Sequence, residues 1–191
     1  MSASQSAARL AFLYEFLTHP KQIGSIIPSS RFLEQRVVRT AGIDSARTVV
    51  ELGPGTGGTT RALLRAMGPQ ARLLGIELSP RLHALTSRID DRRLTVHLGS
   101  AAELGEILSL YQLPAPDAVV SGIPFSTMPP EVGSAILEAV WRSLAPGGCF
   151  VAYQLNGRVA TLARPHMGPA PAQLELLNVP PMRVWRWRKP A

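Results

Sequence analysis

The residues with the clearest chemical potential form a glycine-rich turn at 51–58, which directly follows an apolar run and opens a predicted helix. Glycines let the backbone turn tightly and approach a bound ligand closely. The helix that follows presents unpaired N–H groups at its first turn. This context is typical of a turn that binds a nucleotide-like cofactor. The carboxylate of Glu51, two residues before the first glycine, could hold a cationic amine, directly or through water.

A second acidic residue, Glu77, ends the next apolar run. It follows Gly53 at close to the ~20-residue spacing at which an acidic side chain reaches ribose hydroxyls. NAD is the main competing ligand for such a pair of motifs. However, Gly53, Gly55 and Gly57 alternate and do not match the G-x-G-x-x-G spacing that accompanies a pyrophosphate. The two motifs together therefore favour a ribose-containing ligand other than a dinucleotide.

Short apolar runs alternate with longer amphipathic runs from residue 46 onwards, which predicts strands alternating with helices. Parallel neighbours need crossover connections, so the alternation indicates a doubly wound parallel sheet. The predicted strands are 48–53, 72–78, 94–98, 117–122 and 149–154, and the predicted helices are 59–67, 80–89, 101–110 and 130–144. Residues 155–171 are rich in proline and are expected to be irregular. Segments 173–179 and 183–188 are expected to form an antiparallel hairpin that closes the sheet.

The segment 183–189 interleaves arginine with tryptophan. Such a pattern could grip phosphates or lipid headgroups. We favour a structural interpretation, in which the tryptophans face inward and the arginines protect a sheet edge.

The bulk properties are those of one globular domain, 1–191, with a core at 46–191 and an N-terminal segment at 1–30. The net charge of +7 comes almost entirely from arginine and favours an anionic partner, either nucleic acid or an acidic membrane. Cys149 is the only cysteine, which excludes an intrachain disulfide. No apolar run approaches the roughly 20 residues that span a bilayer. We expect a cytoplasmic protein, associated peripherally with the cytoplasmic membrane.

Five alternating units followed by a hairpin are the plan of the class I methyltransferases, and the chain resembles the bacterial phospholipid N-methyltransferases over nearly its whole length. The resemblance rests on residues 24–30, 51–57, 121–124, 144–148 and 180–185. It implies an α/β, Rossmann-like fold with a mostly parallel seven-stranded sheet and an antiparallel last strand. It also implies methylation of phosphatidylethanolamine and its methylated intermediates towards phosphatidylcholine, with S-adenosylmethionine as the methyl donor.

The motifs and the resemblance together place the donor at the carboxyl ends of the strands. The expected cofactor-binding residues are Ser30, Glu51, Gly53, Gly55, Thr56, Gly57, Glu77, Leu78, Ser79, Ser100, Ala101, Ala102, Ser121 and Gly122. Within this set, 100–102 would edge the adenine ring, and 121–122 would lie beside the accepting nitrogen. No Cys, His or Asp cluster has metal-ligand spacing, so we expect no metal.

The family is similar to the ribosomal RNA adenine dimethylases, so RNA adenine or a small amine is the alternative acceptor. Enzymes that methylate bases typically hold the planar amine with an Asn/Asp-Pro-Pro-aromatic loop after the fourth strand. Residues 121–125 here read Ser-Gly-Ile-Pro-Phe, which removes that hydrogen-bonding side chain. The replacement favours a flexible alkyl amine and makes nucleic acid an unexpected partner.

An acceptor ammonium must lose a proton before its nitrogen can attack the methyl group. The sequence offers Tyr14, Tyr153 and His166 for the acceptor side. We expect Tyr14 and Tyr153 to be the catalytic residues that face the substrate.

The N-terminal residues 3–18 carry Leu10, Leu13, Tyr14 and Leu17 at the spacing of an amphipathic helix. The residues alone leave two alternatives open, packing on the chain's own domain or lying in a membrane interface. The resemblance favours reversible contact with an anionic membrane by a helix that also covers the site. No obligate protein partner is expected.

Overall fold

Residues 29–191 are described by a computed structural model, in which seven strands form one sheet. The strands are β1 (Thr48–Leu52), β2 (Arg72–Glu77), β3 (Leu94–Leu98), β4 (Ala118–Ser121), β5 (Cys149–Gln154), β6 (Ala172–Glu175) and β7 (Met182–Arg188). Their order across the sheet is β3-β2-β1-β4-β5-β7-β6. Strands β1 to β5 pair in parallel, and both pairings of β7 are antiparallel. The predicted mostly parallel, seven-stranded α/β sheet is confirmed.

Helices cover both faces of this sheet. They are α1 (Arg31–Ala41), α2 (Gly58–Ala66), α3 (Pro80–Thr86), α4 (Leu104–Leu110), α5 (Pro130–Ser143) and α6 (Arg158–Met167), with short 3₁₀ helices at Ala101–Glu103 and Phe125–Thr127. One hydrophobic core packs α1 and α2 on one face, and a second packs α4, α5 and α6 on the other. Strands β1 and β4 are buried along their whole length because both faces are covered.

Helix α1 has no counterpart in the sequence prediction, although its signals are present. The Ser30 hydroxyl accepts a hydrogen bond from the Leu33 N–H (3.2 Å) and caps the N-terminus. Gly42 ends the helix in the left-handed conformation at φ 62°. Leu33 and Val37 are buried against the sheet. The helix lies before the expected core start at residue 46, yet it packs on that core.

The prediction that 155–171 is irregular is wrong, because α6 occupies most of it. Val159 and Ala163, four residues apart, are fully buried and align one apolar face. Pro165 lies in the last turn, where its missing N–H removes one intrahelical bond close to the natural end at Gly168. Tertiary packing of this face therefore outweighs the unfavourable proline.

The predicted hairpin exists, but its strands and its place in the sheet differ from the prediction. The first strand ends at Glu175, and 176–181 form the connecting loop. Trp185 and Trp187 of β7 face inward as predicted, and Trp187 stacks on Phe150 with ring centroids 5.4 Å apart. However, β7 lies between β5 and β6, so β6 forms the sheet edge that we expected β7 to form.

The chain reverses direction across the sheet beside β1, which pairs with β2 on one side and β4 on the other. In open α/β sheets, ligands bind at such a switch point, outside the carboxyl ends of the strands. The glycine-rich turn leaves the sheet there. Within residues 29–191, no helix is both long enough and apolar enough to cross a bilayer.

Candidate donor and acceptor site

The turn after β1 depends on three glycines in the left-handed backbone region. Gly53, Gly55 and Gly57 have φ values of 72°, 60° and 81°, which L-residues with a side chain rarely adopt. At Gly53 a Cβ would also lie 3.1 Å from the Ile123 Cγ1 atom. The alternating glycines, which did not fit the dinucleotide motif, are thus required by the shape of this turn.

Glu77, at the end of β2, fixes the turn from below. Its carboxylate accepts hydrogen bonds from the Gly55 N–H (3.0 Å) and the Ser79 N–H (3.0 Å). The Thr86 hydroxyl donates to the Gly55 carbonyl (2.8 Å) from α3. Each carboxylate oxygen can accept more than one hydrogen bond. Glu77 can therefore hold the turn and still accept hydrogen bonds from ribose hydroxyls.

Glu51 is the most deeply buried carboxylate in the described part of the chain. Its side chain is buried, and one oxygen accepts a hydrogen bond from the Thr60 hydroxyl (2.6 Å). The other oxygen, Oε1, has no hydrogen-bond partner among residues 29–191. Burial, with smaller contributions from the charges of Glu77 and Glu34, raises the pKa of Glu51 to about 7, although the hydrogen bond from Thr60 acts in the opposite direction. A buried carboxylate with an unsatisfied oxygen fits the ammonium group of the donor's amino acid portion.

A third carboxylate, Glu34, reaches the site from the first turn of α1. Its Oε1 atom lies 3.1 Å from the position that a Cβ at Gly58 would take. It forms an ion pair with Arg65 (3.6 Å), and burial raises its pKa. The position of Glu34 at the site was not predicted because α1 was not predicted. The available signal was an acidic residue four positions after a capping serine, at the start of an apolar helical stripe.

On the acceptor side, Gly122 packs directly against Tyr153. A Cβ at Gly122 would overlap the Tyr153 hydroxyl oxygen. That hydroxyl shares a 3.0 Å hydrogen bond with the hydroxyl of Thr59 and also contacts Ser29. Burial, together with the charge of Glu51, raises the pKa of Tyr153 well above its usual range. Tyr153 is therefore a neutral hydroxyl at physiological pH, able to donate or accept a hydrogen bond.

Gln154 holds the acceptor loop and was not predicted. Its Nε2 atom donates to the Ile123 carbonyl, while the Ser121 hydroxyl accepts a hydrogen bond from the Ile123 N–H (3.3 Å). Gln154 and Ser121 are both buried at the ends of adjacent strands. The available sequence signal was a glutamine at the end of an apolar run.

The structure brings most of the predicted site residues to one edge of the sheet. The turn residues, Glu77, Ser79, Ser121, Gly122 and Tyr153 all lie at or next to the carboxyl ends of β1, β2, β4 and β5. Ser100 follows β3, and its hydroxyl accepts a hydrogen bond from the Ala102 N–H (3.3 Å). Ser30 uses its hydroxyl to cap α1. The donor contacts of these residues, and of Thr56, Leu78 and Ala101, stay predictions.

Two of the acceptor-side candidates lie among the described residues, and one of these is outside this cluster. His166, near the end of α6, shares a 2.8 Å hydrogen bond with Ser134 of α5. Helix α6 follows β5 and runs back across the sheet, so its last turn lies towards the amino ends of the strands. Tyr153 is the described candidate that the structure brings to the site. Tyr14 lies outside the described residues, and so does the predicted amphipathic helix at 3–18.

Comparison with known proteins decides the family. A methyltransferase domain family matches residues 49–148, just over half of the chain, including the glycine-rich turn and both strand-end carboxylates. The chain belongs to the class I methyltransferases. Its methyl donor is S-adenosylmethionine, and the buried, half-satisfied carboxylate of Glu51 together with Glu77 suits that donor's ammonium and ribose groups.

Two curated relatives differ in how much of their length this methyltransferase spans. The ornithine lipid N-methyltransferase of Singulisphaera acidiphila is 35% identical over 141 residues, which cover 73% of each chain. The dimethyladenosine transferase of Chaetomium thermophilum is 35% identical over 112 residues, which cover 58% of this chain but only 28% of that protein. The lipid enzyme is therefore matched over most of its length, and the adenosine enzyme over less than a third.

Solved structures agree on the fold. The O-methyltransferase of Bacillus cereus, crystallised with S-adenosylhomocysteine, superposes with a TM-score of 0.69 over 94% of this chain and 91% of its own. Its sequence identity is 15%. At that identity, the likeness supports the class I fold alone.

Proposed function

We propose that this methyltransferase methylates the amine nitrogen of a membrane lipid, with phosphatidylethanolamine and its methylated intermediates as acceptors on the way to phosphatidylcholine. The relative named for ornithine lipid N-methylation supports a lipid amine as the acceptor. Phosphatidylethanolamine and ornithine lipid share the required chemistry, a primary amine carried by a lipid. The test below therefore contains both lipids.

The contact between Gly122 and Tyr153 carries this proposal. The acceptor position is bordered by a residue without a side chain and by a neutral hydroxyl. Neither group offers the paired donor and acceptor with which an asparagine or aspartate would hold the planar amine of a base. A tyrosine oxygen can accept one hydrogen bond from an alkyl amine. The lone pair of the amine nitrogen then stays free to attack the methyl group. The arrangement suits a small, flexible amine.

The donor side holds S-adenosylmethionine through groups that the sequence already specifies. When bound, the donor supplies a methyl group activated on a positively charged sulfur. Glu51 would hold the donor's ammonium and Glu77 its ribose. The backbone of the glycine-rich turn allows close approach. The contribution of the protein is then mainly alignment of two reactants in a site shielded from water.

The same burial helps to prepare the acceptor nitrogen. An alkyl ammonium that leaves water for a buried site loses solvation, which lowers its pKa and favours the neutral amine. Tyr153 keeps its own proton because its pKa is raised. Its role is therefore to orient the amine by a hydrogen bond, while the desolvation of the site favours entry of the neutral amine, whose proton passes to bulk water.

Membrane attachment is part of the proposal. Residues 3–18 would lie in the interface of an anionic cytoplasmic membrane as an amphipathic helix, with Tyr14 facing the substrate. The net charge of +7 supports attraction to such a surface. The enzyme would thus meet its acceptor in the membrane rather than in solution.

Methylation of RNA adenine is the second candidate, and the dimethyladenosine transferase relative favours it. The short matched share of that relative and the glycine at position 122 argue for the lipid instead. A small soluble amine is the remaining alternative of the same chemistry.

The decisive experiment measures transfer of labelled methyl groups from S-adenosylmethionine to vesicles that contain anionic lipid and either phosphatidylethanolamine or ornithine lipid. Bulk RNA and ethanolamine serve as parallel acceptors, and Glu51→Gln serves as the inactive control. We expect label in the phosphatidylethanolamine fraction, at chromatographic positions that count the methyl groups. Label in ornithine lipid alone would make ornithine lipid, rather than phosphatidylethanolamine, the acceptor. Label in RNA alone would reject a lipid acceptor.

A further inference from the structure

The loop between β6 and β7 turns its apolar side chains outward and its polar side chains inward. Leu176, Leu177 and Val179 are 66%, 61% and 79% exposed, whereas Glu175 and Asn178 are each 5% exposed. Folding alone favours the reverse arrangement, because apolar groups gain most from leaving water. A group of exposed apolar side chains close together in one loop is a candidate interaction surface.

Hydrogen bonds to the two buried polar residues fix the backbone of this loop. Asn178 accepts a hydrogen bond from the Ser30 N–H (2.8 Å), which ties the loop to the start of α1. Glu175 accepts hydrogen bonds from the Leu177 N–H (3.0 Å) and from the Arg36 guanidinium (2.6 Å). The exposed leucines are therefore presented by an anchored backbone.

The loop lies at the same edge of the sheet as the donor and acceptor groups. Because β7 is antiparallel to β5, Arg183 at the start of β7 pairs with Gln154 at the carboxyl end of β5. Leu155 follows Gln154 and is 52% exposed, and its carbonyl accepts a hydrogen bond from Arg183. We call the exposed side chains of Leu155, Leu176, Leu177 and Val179 the leucine patch.

The surroundings of the leucine patch are basic. Glu175 is the only acidic residue in the sequence from 155 to 183, and its carboxylate is buried in an ion pair with Arg36. The residues Arg31, Arg158 and Arg183 are exposed, and each is close in sequence or by pairing to the patch or its anchors. Exposed apolar side chains with arginines nearby suit an anionic bilayer. The apolar side chains would enter the interface, and the arginines would meet lipid phosphates.

We propose that the leucine patch docks this enzyme on an anionic phospholipid membrane and orients its acceptor side towards the lipid headgroups. The inference rests on the proposed lipid function and assigns a membrane contact separate from residues 3–18. A second copy of the chain is a poorer fit, because docking two patches would bring two basic surfaces together.

The test measures co-sedimentation of the full-length chain with vesicles of phosphatidylcholine and phosphatidylglycerol. The double variant Leu176→Asp/Leu177→Asp is compared with the wild type and with Leu110→Asp. Leu110 is a matched control, since it is 66% exposed and ends α4, at the opposite edge of the sheet. We expect the double variant to lose at least about tenfold in vesicle partitioning, because two exposed leucines that would enter the membrane interface are replaced by charges. The control should bind like the wild type.

Three results would overturn the inference. The first is unchanged binding of the double variant, and the second is an equal loss in Leu110→Asp. The third is a wild-type dimer that the double variant splits in light scattering without any change in vesicle binding, which would assign the patch to a second copy. A thermal midpoint of the double variant within a few degrees of the wild type excludes unfolding as the cause of lost binding.

A soluble acceptor separates this inference from the proposed function. The double variant should methylate a short-chain, monomeric phosphatidylethanolamine at the wild-type rate and lose activity only on vesicles. If the wild type methylates neither acceptor, the lipid function fails, and the sedimentation result still decides whether the patch binds membranes.

Discussion

The donor and acceptor sides of this site are built in different ways. On the donor side, a local turn and two carboxylates, Glu51 and Glu77, create a buried negative environment. On the acceptor side, Gly122 and Tyr153 meet through a contact between adjacent strands and present a neutral hydroxyl. The donor is cationic and constant across such enzymes, whereas the acceptor varies. We therefore propose that charge selects the donor and that shape selects the acceptor.

Among the substitutions considered, replacing Glu51 should have the largest effect, a loss of donor affinity. In Glu51→Gln, the donor's ammonium loses a charged partner in a buried site, so donor affinity should fall about 100-fold. Isothermal titration with S-adenosylmethionine measures the change. Glu106→Gln, on the exposed surface of α4, is the matched control and should bind normally. Donor affinity within threefold of wild type in Glu51→Gln would show that the ammonium binds elsewhere.

Adding one methyl group at Gly122 should break the acceptor side alone. The new Cβ occupies the place of the Tyr153 hydroxyl, so that side chain must move and turnover should fall by about 10–100-fold. Donor affinity should stay within twofold. Gly105→Ala is the control, because its Cβ would meet only the Ser143 hydroxyl at 3.9 Å. An equal fall in donor affinity in Gly122→Ala would erase the distinction between the two sides.

This difference also explains what the sequence could predict. The glycine-rich turn is local, so the glycine spacing and the strand-end position of Glu77 were sufficient to predict that these groups lie together. The acceptor side depends on contacts such as Thr59 with Tyr153 and Ile123 with Gln154, which join distant parts of the chain. No periodicity reports such pairs. Strands β1, β2, β4 and β5 were predicted well because burial on both faces gives continuous apolar runs.

The misses have physical causes of the same kind. Helix α1 was overlooked because its mean composition is polar, although Leu33 and Val37 form a buried stripe. Helix α6 was not predicted because the segment 155–171 is rich in proline, but Pro165 lies in the last turn of the helix, where its missing N–H removes little. The position of β7 between β5 and β6 follows from pairing across the sheet, which no local pattern encodes.

Acidity should weaken donor binding, measured in the absence of an acceptor amine, through protonation of Glu51. The pKa of Glu51 in the free protein is about 7, so the carboxyl group is mostly protonated below that pH. Binding of an ammonium requires the carboxylate and therefore releases a proton. The donor dissociation constant should rise as pH falls from 7 to 5, approaching tenfold per unit. Titration in buffers of different ionisation enthalpy measures the proton release, and Glu51→Gln should show no such dependence.

Removing the Tyr153 hydroxyl should give the smallest effect. Tyr153→Phe loses the hydrogen bond to Thr59 and the oxygen that orients the amine, so turnover on lipid should fall about 3–10-fold. Donor affinity should not change. Tyr111→Phe is the control, because Tyr111 bonds His97 on another part of the sheet. A fall in turnover of 1000-fold or more would instead indicate that Tyr153 takes part in proton transfer.

The order of the last three strands has a consequence for how the chain folds. Strand β6 precedes β7 in the sequence but lies outside it, so β6 is attached to the rest of the sheet only through the pairing of β7 with β5. Completion of this half of the sheet therefore depends on a non-local pairing. Trp185 and Trp187 become buried in that step. The change in their fluorescence during refolding would therefore report when this half of the sheet is completed.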